Sequence, residues 1–218
     1  MFFLIIHYFE RPASSVRLVK SIHLRSCRNI GLSMNSNKYR EREENTMQAK
    51  QEKWDLYDQQ GRKTGKTIQA GENVPYGYCL YCVGIWVIDS EKKILLTKRS
   101  SQKRYAPGKW ENTGGHMISG ETSRHAIVRE LKEETGIQIE EDELIELGDN
   151  HIGQFLGDNY AVFKDVALDE VHLEDGETED VIKVTLPQLE EMAEKKMLSP
   201  AVWDHMAGYK DEFYRLFD

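Results

Sequence analysis

Cysteine is scarce in this chain of 218 residues, which contains only Cys27, Cys79 and Cys82. Three thiols do not make a disulfide framework, so we expect a protein of a reducing compartment, the cytoplasm. Cys79 and Cys82 have C-x-x-C spacing, but the chain has no second pair to complete a zinc site. They also lie in an apolar stretch typical of a buried strand, where residues three apart face opposite sides of the sheet. We therefore expect neither a shared zinc ion nor a redox pair at these residues.

The chain also lacks a long hydrophobic run and an excess of basic residues. The apolar stretch at residues 1–9 is much shorter than the roughly 20 residues that cross a bilayer, and it lacks the basic region of a signal peptide. The formal net charge is -8, whereas proteins that bind duplex nucleic acid present clusters of Lys and Arg. We expect neither a membrane nor a nucleic acid duplex as a partner.

Charge divides the chain near residue 46. Residues 1–46 have 8 Lys and Arg against 4 Asp and Glu, and the remaining residues have 21 against 33. The acid-free, Ser-containing stretch at residues 11–40 is typical of an organelle transit peptide, and that interpretation stays open. We favour another one, because a purine-rich stretch that encodes residues 40–44 resembles a ribosome-binding site before a native start at Met47. Residues 1–46 would then be a wrongly assigned leader or a disordered tail.

Beyond this leader, the pattern of strands and helices predicts one α+β domain with an extension. We expect a β-hairpin extension over residues 47–76 and a catalytic domain over residues 77–210 that ends in a C-terminal helix. Turn residues and helix caps indicate where the elements begin and end. The expected strands cover residues 54–58, 63–67, 78–89, 94–100, 143–148, 159–168 and 180–185, and the expected helices cover residues 122–135, 186–196 and 199–217.

The helix at residues 122–135 carries an unusual group of carboxylates. Glu130, Glu133 and Glu134 share one face at i, i+3 and i+4 spacing, where each like-charged pair repels by about a few tenths of a kcal/mol. They also lie in the last turn, where the helix dipole disfavours anions. A solvated face is the usual interpretation of such a charge run. However, a hard divalent cation would reverse the repulsion, and Mg²⁺ in proteins shares its ligands with substrate phosphates.

Fixed spacings around this helix make the metal interpretation specific. The residues at fixed offsets are, in chain order, Gly115, Glu121, Arg129, Glu130, Glu133, Glu134 and Gly136. This pattern resembles the Nudix box without a departure, and the resemblance is strongest over residues 99–137. It implies a Nudix-like α/β/α sandwich with a mixed β-sheet.

The resemblance also implies an activity and roles for these residues. Members of the family bind Mg²⁺ or Mn²⁺ in a loop-helix-loop and hydrolyse a diphosphate that is linked to another moiety. By position, Glu130, Glu133 and Glu134 would be the metal-binding carboxylates. Arg129 would orient a glutamate, and Glu121 would brace the loop against the helix.

Two glycines of the motif are expected to have backbone roles. Gly115 would let the backbone approach the metal and the phosphates, because a side chain there would obstruct them. Gly136 is placed to end the helix in a left-handed conformation. Both expectations follow from the lack of a β-carbon in glycine.

Hydrolysis also needs a proton acceptor and contacts to the phosphates. General-base catalysis contributes a factor of roughly 10² to 10⁴, and Glu133 is one candidate for it. Glu177 is the other, because related proteins often have a glutamate shortly before a late strand, although simple solvation explains this acidic loop slightly better. Arg99 and Lys103 precede the motif on a strand and loop expected to face it, so we expect them to contact phosphate.

The branch of the family is indicated by residues 54–58, 97–100 and 107–116, which resemble Nudix proteins akin to isopentenyl-diphosphate isomerase. That isomerase uses a cysteine in the segment that matches residues 112–116, where this chain has no thiol. We therefore expect hydrolysis of a nucleoside diphosphate derivative or another small organic diphosphate. An isomerase and a non-catalytic ligand-sensing module are the alternatives, and such modules usually lack box glutamates that are all present here. A homodimer is compatible with the sequence.

Overall fold

The computed structural model describes residues 52–203 and 205–218, so the expectations for residues 1–46 and for a start at Met47 lie outside it. The strands are β1 (Lys53–Tyr57), β2 (Lys63–Gln69), β3 (Leu80–Ile88), β4 (Ile94–Arg99), β5 (Trp110–Glu111), β6 (Thr113–His116), β7 (Ile145–Ile152), β8 (Phe155–Phe163) and β9 (Thr178–Val184). The helices are α1 (Ser123–Thr135), α2 (Leu186–Glu194), α3 (Pro200–Trp203) and α4 (Lys210–Arg215). None of these helices in the described part of the chain has the length and apolar character needed to cross a bilayer.

A mixed sheet of 7 strands forms the centre of the molecule. Its order is β5-β4-β3-β8-β7, with β6 also paired to β3 and β9 paired to β4. Strand β3 runs parallel to β8 and antiparallel to β4 and β6. Helix α1 covers one face of the sheet, and α2, α3 and α4 cover the other. The expected α+β architecture, a sandwich around a mixed sheet, is confirmed.

Alternation along β3 divides the hydrophobic core into two layers. Val83 and Ile85 face α1, where they pack with Ile127 and Leu131. Trp86 faces the other way and packs against the C-terminal helices. Each large apolar side chain buried in this way contributes roughly 1.5–3 kcal/mol relative to an exposed one. The two-residue period of the strand therefore determines which face of the sheet receives α1.

Helix α1 begins and ends where its sequence predicts. The Thr122 side chain accepts a hydrogen bond from His125 N at 3.2 Å and caps the first turn. Gly136 ends the helix with φ 72°, and its N–H donates to Lys132 O at 2.9 Å. This left-handed conformation favours glycine, and an added Cβ would also lie 3.2 Å from the His172 side chain. Local sequence thus fixes where the last turn of α1 lies.

The expected N-terminal hairpin is formed by β1 and β2 as a separate two-stranded sheet. The Asp58 carboxylate accepts the backbone N–H groups of Gln60 and Arg62 at 2.9 and 3.0 Å, which defines the turn by local chemistry. Tyr57 and Cys79 exchange backbone hydrogen bonds at 2.9 and 2.8 Å. The hairpin is therefore attached to the chain just before β3.

The two cysteines near β3 are free thiols. Cys79 lies before the strand, in a small cluster with Tyr57 and Leu156, whereas Cys82 lies within the strand. Burial raises the pKa of both thiols, to about 12 for Cys82. Both side chains are therefore protonated near neutral pH.

The prediction of a continuous helix over residues 199–217 is wrong. The segment instead contains α3, a 3-10 turn at His205–Gly208 and α4. Gly208 lies so close to β7 that an added Cβ would be 2.5 Å from Asp149 O, and Tyr209 has φ -139° and ψ 18°, which is not helical. Contact with β7 thus interrupts the helix, and a cap-and-proline signal in the sequence cannot report such a contact.

The β7–β8 hairpin is displaced from its expected position. Residues 141–143 form a 3-10 turn rather than the beginning of a strand, and the two strands extend to Ile152 and from Phe155. Ile152 pairs with Phe155 across the turn, where Gly153 has φ 62°. Backbone pairing across this hairpin, rather than the apolar pattern, sets the ends of both strands.

Candidate active site

Strand β6 and helix α1 bring the residues of the motif together beside β3. In β6, Gly115 pairs with Val83 and His116 pairs with Cys82. Residues 117–122 then connect β6 to α1, which packs back against β6. The glycine end of the motif and its glutamates therefore meet through tertiary packing.

Gly115 and Glu130 are matched in shape. A Cβ built on Gly115 would collide with the Glu130 carboxyl group, so only glycine admits this group against the strand. Gly115 was expected to let the backbone approach a metal and phosphates; in the structure, the group that lies against its backbone is the Glu130 carboxylate. The spacing between the two residues in the sequence thus corresponds to a direct contact in space.

Arg129 is the centre of a charged network. Its Nε and one terminal nitrogen donate to the two carboxylate oxygens of Glu121 at 2.8 and 3.0 Å. The other terminal nitrogen donates to Glu133 at 2.9 Å and lies 3.1 Å from Glu130 Oε1. The terminal nitrogen Nη2, which contacts Glu121, also donates to His116 O at 3.1 Å. The guanidinium group therefore ties the loop before α1 to the helix itself.

The ionisation of this network follows from its contacts. Burial acts to raise the pKa of Glu121, but hydrogen bonds from Arg129 and from Ile118 N lower it overall. Burial acts to lower the pKa of Arg129, but the hydrogen bonds to Glu121 and the charge of Glu130 raise it overall. Glu121 and Arg129 are therefore both charged over a wide range of pH.

Glu130 and Glu134 are the partly buried carboxylates of α1. Burial is the main cause that raises the pKa of Glu130 to about 7, with Arg129 acting against it and Glu133 adding to it. Burial also raises the pKa of Glu134 well above its usual value, and the nearby Glu130 and Glu111 add to the increase. Partly buried, mutually repelling carboxylates gain from a cation, and their hard oxygen donors fit Mg²⁺ or Mn²⁺.

Glu133 is placed differently from the other two glutamates. Its side chain is 51% exposed and is held by Arg129. Within residues 52–203 and 205–218, no three His, Cys, Asp or Glu side chains are close enough to hold a metal ion as they are oriented. The structure therefore groups Glu130 with Glu134 and leaves Glu133 on the solvent side. Binding of one ion by all three carboxylates requires side-chain rotation.

Arg99, Lys103 and Glu177 lie next to this acidic group. Arg99 donates to Glu111 Oε1 at 2.7 Å, and Lys103 forms an ion pair with Glu177. Burial and then Arg99 lower the pKa of Lys103, while Glu134 acts in the opposite direction. The structure thus places the expected phosphate contacts near the carboxylates of α1, and Glu177 joins them through Lys103.

The sequence did not single out three further carboxylates that surround the site, namely Glu52, Glu111 and Glu174. Burial raises the pKa of all three, and Glu133 adds to the increase for Glu52 and Glu174. The one sequence signal for Glu111 is its position as a charged residue next to Trp110, in the short strand β5. No local pattern identifies Glu52 or Glu174, because only folding brings these distant segments to α1.

Known proteins are similar to this chain in sequence and in fold. A model of the NUDIX domain matches residues 80–204. An uncharacterized Nudix hydrolase of Listeria monocytogenes is 31% identical over 140 residues, which are 64% of this chain and 83% of the relative. An isopentenyl-diphosphate Delta-isomerase of Salmonella heidelberg is 33% identical over 88 residues, which are 38% of this chain and 47% of the isomerase. The crystal structure of DR0079 from Deinococcus radiodurans superposes with a TM-score of 0.58 and 19% identity, and the match covers 69% of this chain and 94% of that chain.

Proposed function

The chain belongs to the Nudix hydrolase family, and on this premise we propose that it is a Mg²⁺-dependent hydrolase of small organic diphosphates. Its membership makes it an enzyme of the pyrophosphohydrolase class. The finer proposal is that it cleaves the diphosphate linkage of a nucleoside diphosphate derivative or a similar compound. Mn²⁺ is the alternative ion, because it accepts the same oxygen donors.

The pair of partly buried carboxylates, Glu130 and Glu134, is the observation that carries this proposal. Both have a raised pKa, so their negative charge is costly until a cation is present. We propose that they hold the ion together with Glu133, while Arg129 orients the helix end. When bound, Mg²⁺ supplies a Lewis acid and a water molecule of lowered pKa.

Glu133 is our preferred proton acceptor, and Glu177 is the second candidate. Glu133 lies on the same helix as Glu130 and Glu134, whereas Glu177 lies in the loop before β9. Each of the two carboxylates is engaged by one cation, Glu133 by Arg129 and Glu177 by Lys103. Loss of general-base catalysis reduces turnover by a factor of roughly 10² to 10⁴. Glu133→Gln is therefore expected to reduce kcat by that factor, and Glu177→Gln by much less.

Lys103 is our preferred phosphate contact. The guanidinium group of Arg99 already donates to Glu111 and to Tyr105 O at 2.7 and 3.0 Å, which leaves fewer free donors. The ammonium group of Lys103 is held by one ion pair with Glu177. An incoming diphosphate can replace that single carboxylate more readily than it can replace both contacts of Arg99.

Isomerisation of a prenyl diphosphate is the second candidate function. Residues 112–116 contain no thiol, but strand pairing places Cys82 opposite His116. Burial raises the pKa of Cys82 to about 12, so this thiol is protonated near neutral pH and is a weaker acid than an ordinary cysteine. This placement and the partial match to a Delta-isomerase make the mass of the product a necessary measurement.

The test is incubation of the purified protein and Mg²⁺ with nucleoside triphosphates, dinucleotides, nucleotide sugars, ADP-ribose and prenyl diphosphates. Phosphate release and product mass are measured for each compound. Hydrolysis adds the mass of water, which is then divided between two products, whereas isomerisation conserves the mass of the substrate. Conserved mass with a prenyl diphosphate would overturn the proposed hydrolysis.

Two variants with the same change of charge provide the controls. Glu134→Gln is expected to reduce turnover at least about 100-fold. Mutation of a group that only supports a metal ligand usually lowers metal affinity or activity roughly 10- to 100-fold, and Glu134 is proposed as a ligand itself. Glu194→Gln alters an exposed glutamate at the end of α2, on the other face of the sheet, and is expected to leave turnover unchanged. Equal activity of both variants would contradict a metal site at Glu134.

A further inference from the structure

Residues 53–69, the β1–β2 hairpin, lie outside the residues that match the family model, yet they contact the loop of the site. We propose that Asp55 and Trp54 in this hairpin are positioning residues for the reaction. They hold residues 116–120, which follow Gly115 and lead toward α1, and Arg129 holds the same segment through other contacts. The inference rests on the proposed hydrolysis, but its test also includes a measurement that needs no substrate.

The Asp55 carboxylate fixes the middle of this segment. Ser119 Oγ donates to Asp55 Oδ1 at 2.6 Å, and Gly120 N donates to Asp55 Oδ2 at 3.1 Å. Ser119 N donates to Lys53 O at 2.7 Å, so the β1 backbone adds a third hydrogen bond. Lys63 Nζ, 3.0 Å from Asp55 Oδ2, holds the carboxylate from the neighbouring strand. Both oxygens of Asp55 are thus engaged by the segment.

Trp54 fixes the beginning of the same segment. Its ring is stacked on the His116 ring, with centroids 4.3 Å apart and an angle of 15° between the planes. Phe155 on β8 approaches the His116 ring from its edge, at 6.2 Å and 66°. The ring of His116 is therefore held between the hairpin and the sheet. His116 directly follows Gly115, which in turn contacts Glu130.

Arg129 holds the same segment through separate hydrogen bonds. It donates to His116 O at 3.1 Å and to both oxygens of Glu121, and Glu121 accepts Ile118 N at 2.9 Å. Any displacement of residues 116–120 therefore changes the contacts that direct Arg129. The same guanidinium group holds Glu133, so the displacement reaches the carboxylates of α1.

The position of the hairpin does not depend on this segment alone. Tyr57 and Cys79 anchor β1 to the beginning of β3 through backbone hydrogen bonds at 2.9 and 2.8 Å. Asp55 and Trp54 project from an anchored strand and can act as a fixed reference for the loop. Misplacement of reacting groups by about 1 Å can reduce a rate roughly 100-fold.

Asp58 provides a matched control in the same hairpin. Its carboxylate holds the β1–β2 turn through Gln60 N and Arg62 N at 2.9 and 3.0 Å, whereas residues 116–120 are held by Asp55. Asp58→Ala therefore weakens the hairpin while leaving the contacts to the loop in place. A general loss of hairpin stability would affect Asp58→Ala and Asp55→Ala alike.

The kinetic test compares these variants in the full chain with a substrate identified by the panel. Asp55→Ala is expected to reduce kcat about 10- to 100-fold with KM within about threefold, because positioning affects the transition state more than binding. Asp58→Ala is expected to stay within about threefold of the wild type in both constants. Trp54→Phe, which keeps a stacked ring, is expected to restore most of the kcat that Trp54→Ala loses.

Hydrogen exchange of the backbone amides provides the measurement that needs no substrate. Asp55→Ala is expected to accelerate exchange at residues 116–121 at least about tenfold, since two hydrogen bonds of this segment are lost. Asp58→Ala is expected to leave the exchange of that segment unchanged. Unchanged protection in Asp55→Ala would overturn the inference, and so would equal effects of the two alanine variants.

The outcomes separate the inference from the proposed function. If Glu134→Gln is inactive while Asp55→Ala has the kcat of the wild type, the hydrolase proposal stands and the positioning role is wrong. If Glu134→Gln is fully active, the hydrolase proposal fails whatever the hairpin variants do. If Trp54→Phe is as slow as Trp54→Ala, stacking on His116 is not the role of Trp54.

Discussion

The carboxyl group of Glu130 lies against the backbone of Gly115, in the space that a β-carbon would fill. These residues lie in different elements, β6 and α1, and their contact joins the two halves of the motif. The glycine is therefore required by a specific neighbour rather than by a left-handed backbone. Substitution of Gly115 should consequently disturb one carboxylate directly.

Gly115→Ala is expected to displace Glu130 or the β6 backbone, since the new methyl group cannot share the space of the carboxyl group. Overpacking of this kind costs about 1–3 kcal/mol in the free energy of unfolding, and kcat should fall at least tenfold because a proposed metal ligand moves. Urea unfolding and kcat measure the two effects. Gly153→Ala, at a turn with open space around it, should leave kcat unchanged. Wild-type kcat in Gly115→Ala would show that Glu130 has no role.

Arg129→Lys is expected to be far from conservative. Lysine keeps the charge but cannot donate to both oxygens of Glu121 while also reaching Glu133 and His116 O. Lost hydrogen bonds to charged groups cost about 1.5–3 kcal/mol each before relaxation, so the free energy of unfolding should fall by a similar amount. Arg215→Lys, in an exposed pair with Glu212, should change it by less than about 0.5 kcal/mol. Similar urea midpoints for the two variants would argue against this network.

Without divalent cations, the protein is expected to lose stability as the pH rises. The pKa of Glu130 is 4.5 for an ordinary glutamate and about 7 in the folded chain, so between these values only the folded state keeps the proton. The free energy of unfolding should fall by up to roughly 3 kcal/mol across this range. The part of the loss that comes from Glu130 is absent below about pH 4.5 and complete above about pH 7.

Urea unfolding in a chelator, at several values between about pH 5 and pH 8, measures this dependence. Glu130→Gln should make it less steep, since the amide does not titrate, while Glu134, whose pKa is also raised, keeps part of it. Saturating Mg²⁺ should flatten it in the wild type. Glu121 does not interfere, because its lowered pKa affects stability only below its ordinary value. If the free energy of unfolding of Glu130→Gln depends on pH as steeply as that of the wild type, the dependence comes from a group other than Glu130.

Lys103→Met is expected to weaken substrate binding. Removal of one charged contact to a phosphate costs about 1.5–3 kcal/mol, so KM should rise roughly 10- to 100-fold. Lys98→Met is the matched control, because Lys98 forms a similar ion pair with Glu179, 3.1 Å away, on the neighbouring strand. Initial rates over a range of substrate concentrations measure KM for both. A larger rise in KM for Lys98→Met would show that the phosphate contact is assigned to the wrong lysine.

Predictions from sequence were most successful where a signal is local. The helix expected over residues 122–135 is α1 at Ser123–Thr135, and Gly136 ends it in the predicted left-handed conformation. Predictions were least successful where a distant contact decides the outcome, as for the C-terminal segment, which Gly208 brings against β7. Glu52 and Glu174 were not predicted as site residues for the same reason, because no local sequence pattern around either residue indicates a place in the site.

The sequence by itself determined the family, the mixed α+β fold and the helix that carries Glu130, Glu133 and Glu134, since spacing, caps and apolar period are local properties of the chain. Only the tertiary structure decided how these glutamates differ: Glu130 and Glu134 are partly buried, beside Gly115 and Glu111, and Glu133 is held by Arg129 toward solvent. It also decided that the β1–β2 hairpin contacts the loop of the site. Burial and charge depend on neighbours that are remote in sequence, and folding alone brings those neighbours together.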